Sequence, residues 1–139
     1  MIYRYIIQYM PHVSQRILDS KTKRQISDTF ELVLGKMDKD ETNTFLFSLL
    51  SDTERLMIAK RLAISIMLHE GITQSSIAEG LCVTRETVNR IDLAMMKKPK
   101  GFEAAFAKIR ADAVMQELKK ALIRLASYSI KAAGGRVGF

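Results

Sequence analysis

The 139-residue chain has one cysteine, no tryptophan, two prolines and seven glycines. A lone cysteine, Cys82, excludes an intrachain disulfide framework and any cysteine-rich zinc module. The two histidines, His12 and His69, stand at spacings unrelated to it, so no metal site is expected. A sandwich or barrel needs a turn signal roughly every 8–12 residues, and so few glycines and prolines cannot supply them. Aromatic residues make up only 7%, which leaves aliphatic side chains and eight methionines to build a core. No apolar run approaches the roughly 18–20 residues of a membrane span. The opening MIYRYIIQYMPH carries Arg4 and Gln8 and has no small-residue cleavage site, which makes a poor secretory signal. Met10 is a second candidate start. No nucleophile–base set, phosphate-cradling glycine loop or metal-ligand cluster is present, so neither an enzyme nor a cofactor is expected. These absences predict an all-α, cytoplasmic protein of about one domain.

What is abundant is positive charge, and it is unevenly placed. Lysine and arginine number 22 against 15 acids, for a net charge of +7. Residues 1–96 balance, with 12 of each sign, whereas residues 97–139 hold ten basic and three acidic side chains. A local positive field suits a polyanion such as nucleic acid. A solvated helix face accounts for the same charges.

Apolar periodicity outlines the helices. Ile26, Phe30, Val33, Leu34 and Met37 form one face of a helix over about 21–37. The run Asp38-Lys39-Asp40-Glu41 breaks that stripe, and a short second helix is expected over Thr42–Leu50. Ser51-Asp52-Thr53-Glu54 has the form of a capping box opening a third helix that reaches Glu70, with Gly71 as its left-handed cap. That third helix is apolar on nearly every side, from Leu56 to Leu68. A chain this small can hardly enclose such a helix, but a second copy could, so an intertwined homodimer is expected.

The segment ITQSSIAEGLCVTRETVNRIDLAMM has the spacing of a helix-turn-helix. Ile77, Leu81, Val83, Val88 and Ile91 occupy its apolar positions, and small Ala78 permits a close helix crossing. Thr73 and Thr84 are the expected N-caps. Cys82 stands where a turn glycine is usual, and an apolar turn position suggests buried packing rather than a nucleophile. If the second helix enters a major groove, its outward residues are Arg85, Glu86, Thr87 and Asn89, with Arg90 following. Arg85 suits guanine, Asn89 adenine and Glu86 a cytosine amine. Thr73, Gln74 and Ser75 suit phosphates at a helix N-terminus, and Lys97 and Lys98 add charge at the far end. Plainer roles stand beside these: Glu86 complements its helix dipole, and Arg90 forms a surface ion pair.

The stretch from Leu49 to Met96, with its cap box, Arg61, the helix-turn-helix and the T-V-N-R-I segment, resembles the Trp repressor family. That resemblance implies an all-helical homodimer with interlocking first helices and a repressor's role on double-stranded DNA. It also implies that Arg61 and Arg90 match the two arginines that grip the family's amino-acid corepressor. Ile91 replaces a small glycine and Ala94 a serine of that pocket, so tryptophan is a poor fit here. Structural ion pairs of the two arginines with Glu54 or Asp92 are the other reading.

Beyond Lys97-Lys98-Pro99-Lys100-Gly101, a basic elbow, the stripe Phe102, Phe106, Ile109, Ala113, Leu118, Leu122 and Leu125 predicts one long amphipathic helix to about Ala133. Lys119, Lys120, Arg124 and Lys131 are either phosphate contacts or a solvated face. The expected organisation is thus an N-terminal extension (1–20), a Trp repressor-like domain (21–98, with the helix-turn-helix at 73–95) and a basic C-terminal helix with a flexible tail (99–139). The functional expectation is a sequence-specific, homodimeric DNA-binding regulator without a membrane association. A protein-interaction module with only non-specific DNA affinity, docking a transcription or recombination partner, is the alternative.

Overall fold

The computed structural model describes residues 17–134, with side chains through Tyr128, and every regular element among them is an α-helix. The helices are α1 (Ser20–Lys36), α2 (Lys39–Leu49), α3 (Asp52–His69), α4 (Gln74–Leu81), α5 (Arg85–Lys97), α6 (Pro99–Ala111) and α7 (Ala113–Gly134). The expectations for residues 1–16 and for the tail from 135 lie outside the described residues. The chain divides after Ser48 into two compact units.

In the first unit, α1 starts at Asp19, whose carboxylate accepts from the Thr22 amide at 2.9 Å and the Thr22 hydroxyl at 2.6 Å. These bonds favour the ionised acid and hold Asp19 below the usual carboxylate range. α2 begins three residues before the expected Thr42. The acidic run is a cap rather than a break: Asp38 Oδ1 accepts from the Glu41 amide at 2.9 Å, and Glu41 Oε2 accepts from the Asp38 amide at 3.0 Å. Reciprocal bonds of this kind satisfy two orphan donors, and the D-x-x-E spelling conceals them beside the more familiar S-x-x-E. Neither α1 nor α2 contains a buried residue. Phe30 and Phe45 stand with ring centroids 6.4 Å apart.

The second unit is built on α3. The capping box predicted at its start is present in full, with Ser51 Oγ accepting from the Glu54 amide and Glu54 accepting from the Ser51 amide at 2.8 Å. The Ser51 backbone amide, and then its hydroxyl, hold the Glu54 carboxyl below its ordinary range. A lowered native value means the unfolded chain binds this proton more tightly. The box therefore contributes stability above about pH 4.3, and that contribution is lost as pH falls through the lowered native value. Glu54→Ala is expected to melt at a lower temperature than wild type at pH 7, with the difference shrinking as the pH falls through the lowered native value, in paired thermal scans.

The second half of α3 lies in the core. Ile64, Met67, Ile77 and Val88 are fully buried, and Ile66, Phe106, Ile109, Leu122 and Ala126 close around them. The first half of α3 contains no buried residue, and Leu56, Met57, Ile58 and Leu62 are all about half exposed.

The single long C-terminal helix expected from the apolar stripe is instead two helices. Asp112 is extended (φ −114°, ψ 123°), and its Oδ1 accepts from the amides of Val114 and Met115, ending α6 and starting α7. An aspartate cap permits a bend without glycine or proline, so the periodicity runs through it unbroken. The bend lets both segments pack on the core, with Leu122 and Ala126 of α7 against α4 and α3. His69 stacks on Phe106 with centroids 4.2 Å apart, and Lys119 Nζ meets Glu70 Oε1 at 2.8 Å. Packing therefore joins α6 and α7 to the unit that begins at Leu49, across the 98/99 boundary read from composition.

Candidate nucleic-acid interface

α4 and α5 form a helix, a three-residue turn and a second helix, as the apolar spacing requires. Thr73 caps α4 by accepting from the Ser76 amide, and Thr84 caps α5 by accepting from the Thr87 amide at 3.1 Å. The helices that lead into and through the motif end alike. After α3, the Ile72 amide bonds to the Met67 carbonyl and the Gly71 amide to that of Leu68, with Gly71 left-handed at φ 77°. After α4, the Val83 amide bonds to Ala78 and the Cys82 amide to Glu79, with Cys82 left-handed at φ 52°. Both are Schellman closures, and they satisfy carbonyls that would otherwise lack donors.

Cys82 is exposed, which corrects the expectation of a packed thiol. Its thiol faces solvent beside the Glu79 carbonyl, 4.0 Å away, at the end of the helix that the residue terminates. An L-residue in the left-handed conformation costs roughly 1–2 kcal/mol, partly recovered against glycine through a less entropic unfolded chain. Cys82→Gly is thus expected to stabilise the protein by roughly 0.5–1 kcal/mol in denaturant titrations.

The outward residues fall largely where the helical spacing put them. Val88 is fully buried and Ile91 packs on the core, which fixes the rotation of α5. Arg85, Glu86, Asn89 and Arg90 are then exposed, as are Thr73, Ser75, Thr84, Lys97 and Lys98. Thr87 is half-buried, its hydroxyl 2.9 Å from that of Thr84. Gln74 is half-buried, and its Nε2 donates to Asp92 Oδ2 at 3.0 Å. This bond ties the start of α4 to the middle of α5, so Gln74 holds the two helices together as well as standing at an N-terminus. Asp92 has no counterpart in the sequence reading of this role, because eighteen residues separate the partners.

Arg61, Lys60 and Arg90 line one cavity of about 750 Å³ between α3, the turn and α5. Met57, Ile64, Val83 and Ile91 supply apolar walls. Arg90 pairs with Glu86 one turn earlier on α5, not with Glu54 or Asp92, whose carboxylates serve the cap of α3 and Gln74. Lys60, the third cation at the cavity, was not singled out from the sequence, although it adjoins Arg61.

The family model described as Trp repressor protein matches residues 13–110. The chain belongs to the Trp repressor family. No curated protein and no solved structure gives a significant match. Membership in the Trp repressor family places the chain among DNA-binding transcription regulators. The match ends within α6, so α7 lies outside the Trp repressor family's matched region.

Two of the C-terminal lysines considered for phosphates are engaged elsewhere: Lys119 with Glu70 and Lys120 with Glu117 at 2.8 Å. Lys120, with Arg124 adding its field, lowers the Glu117 carboxyl from its usual range. Arg124 is exposed, and the Lys131 side chain lies outside the described residues. Among the described residues no helix is long and apolar enough to cross a membrane.

Proposed function

We propose that the chain is a sequence-specific double-stranded DNA-binding regulator that acts as a homodimer through α4 and α5. The observation that carries this reading is the rotation of α5. Buried Val88 and half-buried Ile91 anchor one side, so Arg85, Glu86 and Asn89 form a fixed polar face able to meet base edges in a major groove. Thr73, Ser75 and Thr84 stand at helix N-termini facing solvent, and Lys97 and Lys98 follow α5, so phosphates are served at both ends of the reading helix.

The homodimer rests on α3. Leu56, Met57, Ile58 and Leu62 expose 56, 46, 54 and 45% of their surface in the single chain, and Leu93 and Met96 of α5 are exposed too. That apolar exposure calls for a covering surface, and a second copy supplies one by symmetry. A two-fold pair of reading helices fits a palindrome with half-sites about one helical turn apart. Family membership is what supports a repressor's role for this regulator.

The residues around the Arg61–Arg90 cavity do not suit tryptophan. Branched Ile91 lines the cavity, and Arg90 is drawn into an exposed ion pair with Glu86. These features favour DNA binding without a tryptophan corepressor.

Selection of sites from random duplex DNA, followed by salt-titrated affinities with and without tryptophan, tests the proposal. The expected result is an enriched palindrome whose affinity is unchanged by tryptophan. Uniform weak binding with no enriched sequence would overturn it and leave a protein-docking module.

A further inference from the structure

α4 is only eight residues long, yet three consecutive residues of it, Ser76, Ile77 and Ala78, are buried. Neighbours on an α-helix point about 100° apart, so burying three in a row requires cover over about 200° of the circumference. α3, α5 and α7 each pack on α4, and Leu122 and Ala126 of α7 belong to the same buried cluster as Ile77 and Ala78. A helix this short is well below the roughly 12–15 residues at which isolated helices become stable in water, so the order of α4 depends on that cover.

α7 docks along one line. Gln116, Lys119, Leu122 and Ala126, spaced by three, three and four residues, are the residues of α7 up to Tyr128 that are not exposed. Gln116 Nε2 donates to the Ile109 carbonyl at 3.0 Å, which ties α7 to α6. The Lys119–Glu70 pair has both side chains about three-quarters covered. Glu70 caps the end of α3, three residues before Thr73, the N-cap of α4. α7 thus grips the α3–α4 corner with Lys119 and the body of α4 with Leu122 and Ala126. All of this lies beyond residue 110, where the family match ends, so family membership does not account for it.

We propose that α7 is a positioning helix for the DNA-reading pair: it holds α4 against α3, and α4 in turn sets the angle of α5. The inference rests on the reading in which Arg85, Glu86 and Asn89 meet base edges. α5 packs on α3, α4 and α6, buries only Val88, and is tied to the start of α4 by the Gln74–Asp92 bond, so a shift of α4 reaches its polar face. Base contacts need hydrogen-bond geometry, whereas attraction to phosphates tolerates displacement. Loosening α7 therefore lowers affinity for a preferred site in proportion to the fraction of chains with the reading pair in place, and leaves random duplex unaffected.

Leu122→Ala in the full chain tests this by two measurements. Well below the melting temperature, affinity for the selected duplex is expected to fall about tenfold, with no change for random duplex, since no charge is altered. In native-state hydrogen exchange without DNA, amides of α4 and α5 are expected to exchange at least about tenfold faster, while residues 64–67 of α3 keep wild-type protection. A helix that only adds stability would change neither the affinity of the folded protein nor the contrast between α3 and α4. Glu70→Gln loosens the corner without touching the core. It is expected to lower the preference for selected over random duplex about threefold, although its added net charge strengthens binding to both. Wild-type affinity for the selected duplex in both variants, or equal loss of protection in α3 and α4, would overturn the proposal. A wild-type chain that prefers no sequence removes the DNA reading instead, and the exchange contrast then decides by itself whether α7 holds α4.

Discussion

Replacing Arg85 and Asn89 together by alanine is expected to lower affinity for the selected DNA site by about 10²–10³-fold, with little change for random duplex. Each side chain stands on the exposed face of α5 behind a fully buried Val88, so truncation removes base contacts without disturbing the helix. A bidentate side chain–base pair discriminates by about 1–3 kcal/mol, and two such pairs account for the stated range. The phosphate contribution from Lys97, Lys98 and the helix N-termini remains, so the residual binding stays strongly salt-dependent. Its log–log salt slope should fall by at most about one, for the single positive charge removed. Fluorescence anisotropy against the selected site and a scrambled duplex, at several salt concentrations, reads both effects. Equal losses on the two duplexes would assign Arg85 to phosphates and move sequence recognition elsewhere.

Leu62→Glu is expected to separate the homodimer and with it lower site affinity by at least about 10³-fold, because a single half-site forfeits the second set of contacts. Leu62 is 45% exposed in the single chain and lies outside its buried core, so an isolated copy has no strong reason to refuse a carboxylate there. In a homodimer that covers α3 the same carboxylate would be desolvated without a partner. The variant should sediment at lower mass than wild type. Its melting temperature should be lower and less dependent on concentration, since association stabilises only the folded protein. Unchanged mass would place the homodimer surface away from Leu62.

Much of the helix-turn-helix segment is legible in the sequence, and the reason is locality. Thr73, Thr84 and Ser51 cap helices by bonds to residues three positions away, so the chemistry is spelled within one turn. The burial of Ile77 and Val88 follows from apolar spacing at the helical period. The same logic failed where one residue type serves two ends. Asp38 and Asp112 read as breaks or as nothing, yet each starts a helix, because an aspartate's local bonds suit a turn and an N-cap alike. Spacing places Cys82 in the turn and suggests a packed thiol, whereas the thiol is exposed, because spacing specifies the position and not the backbone conformation adopted there.

The sequence by itself determined that the chain is helical, where the two helices of the motif begin, and which face of α5 is polar. Composition, caps and periodicity are properties of neighbours along the chain, so no folded context is needed to express them. Only the tertiary structure decided that Gln74 bonds Asp92, that Glu86 rather than Glu54 or Asp92 takes Arg90, and that Lys119 is committed to Glu70. It alone showed that α7 packs on α4. Each of these depends on how helices lie across one another, and a charged or amide side chain has many partners of equal chemistry until packing brings one of them within about 3 Å.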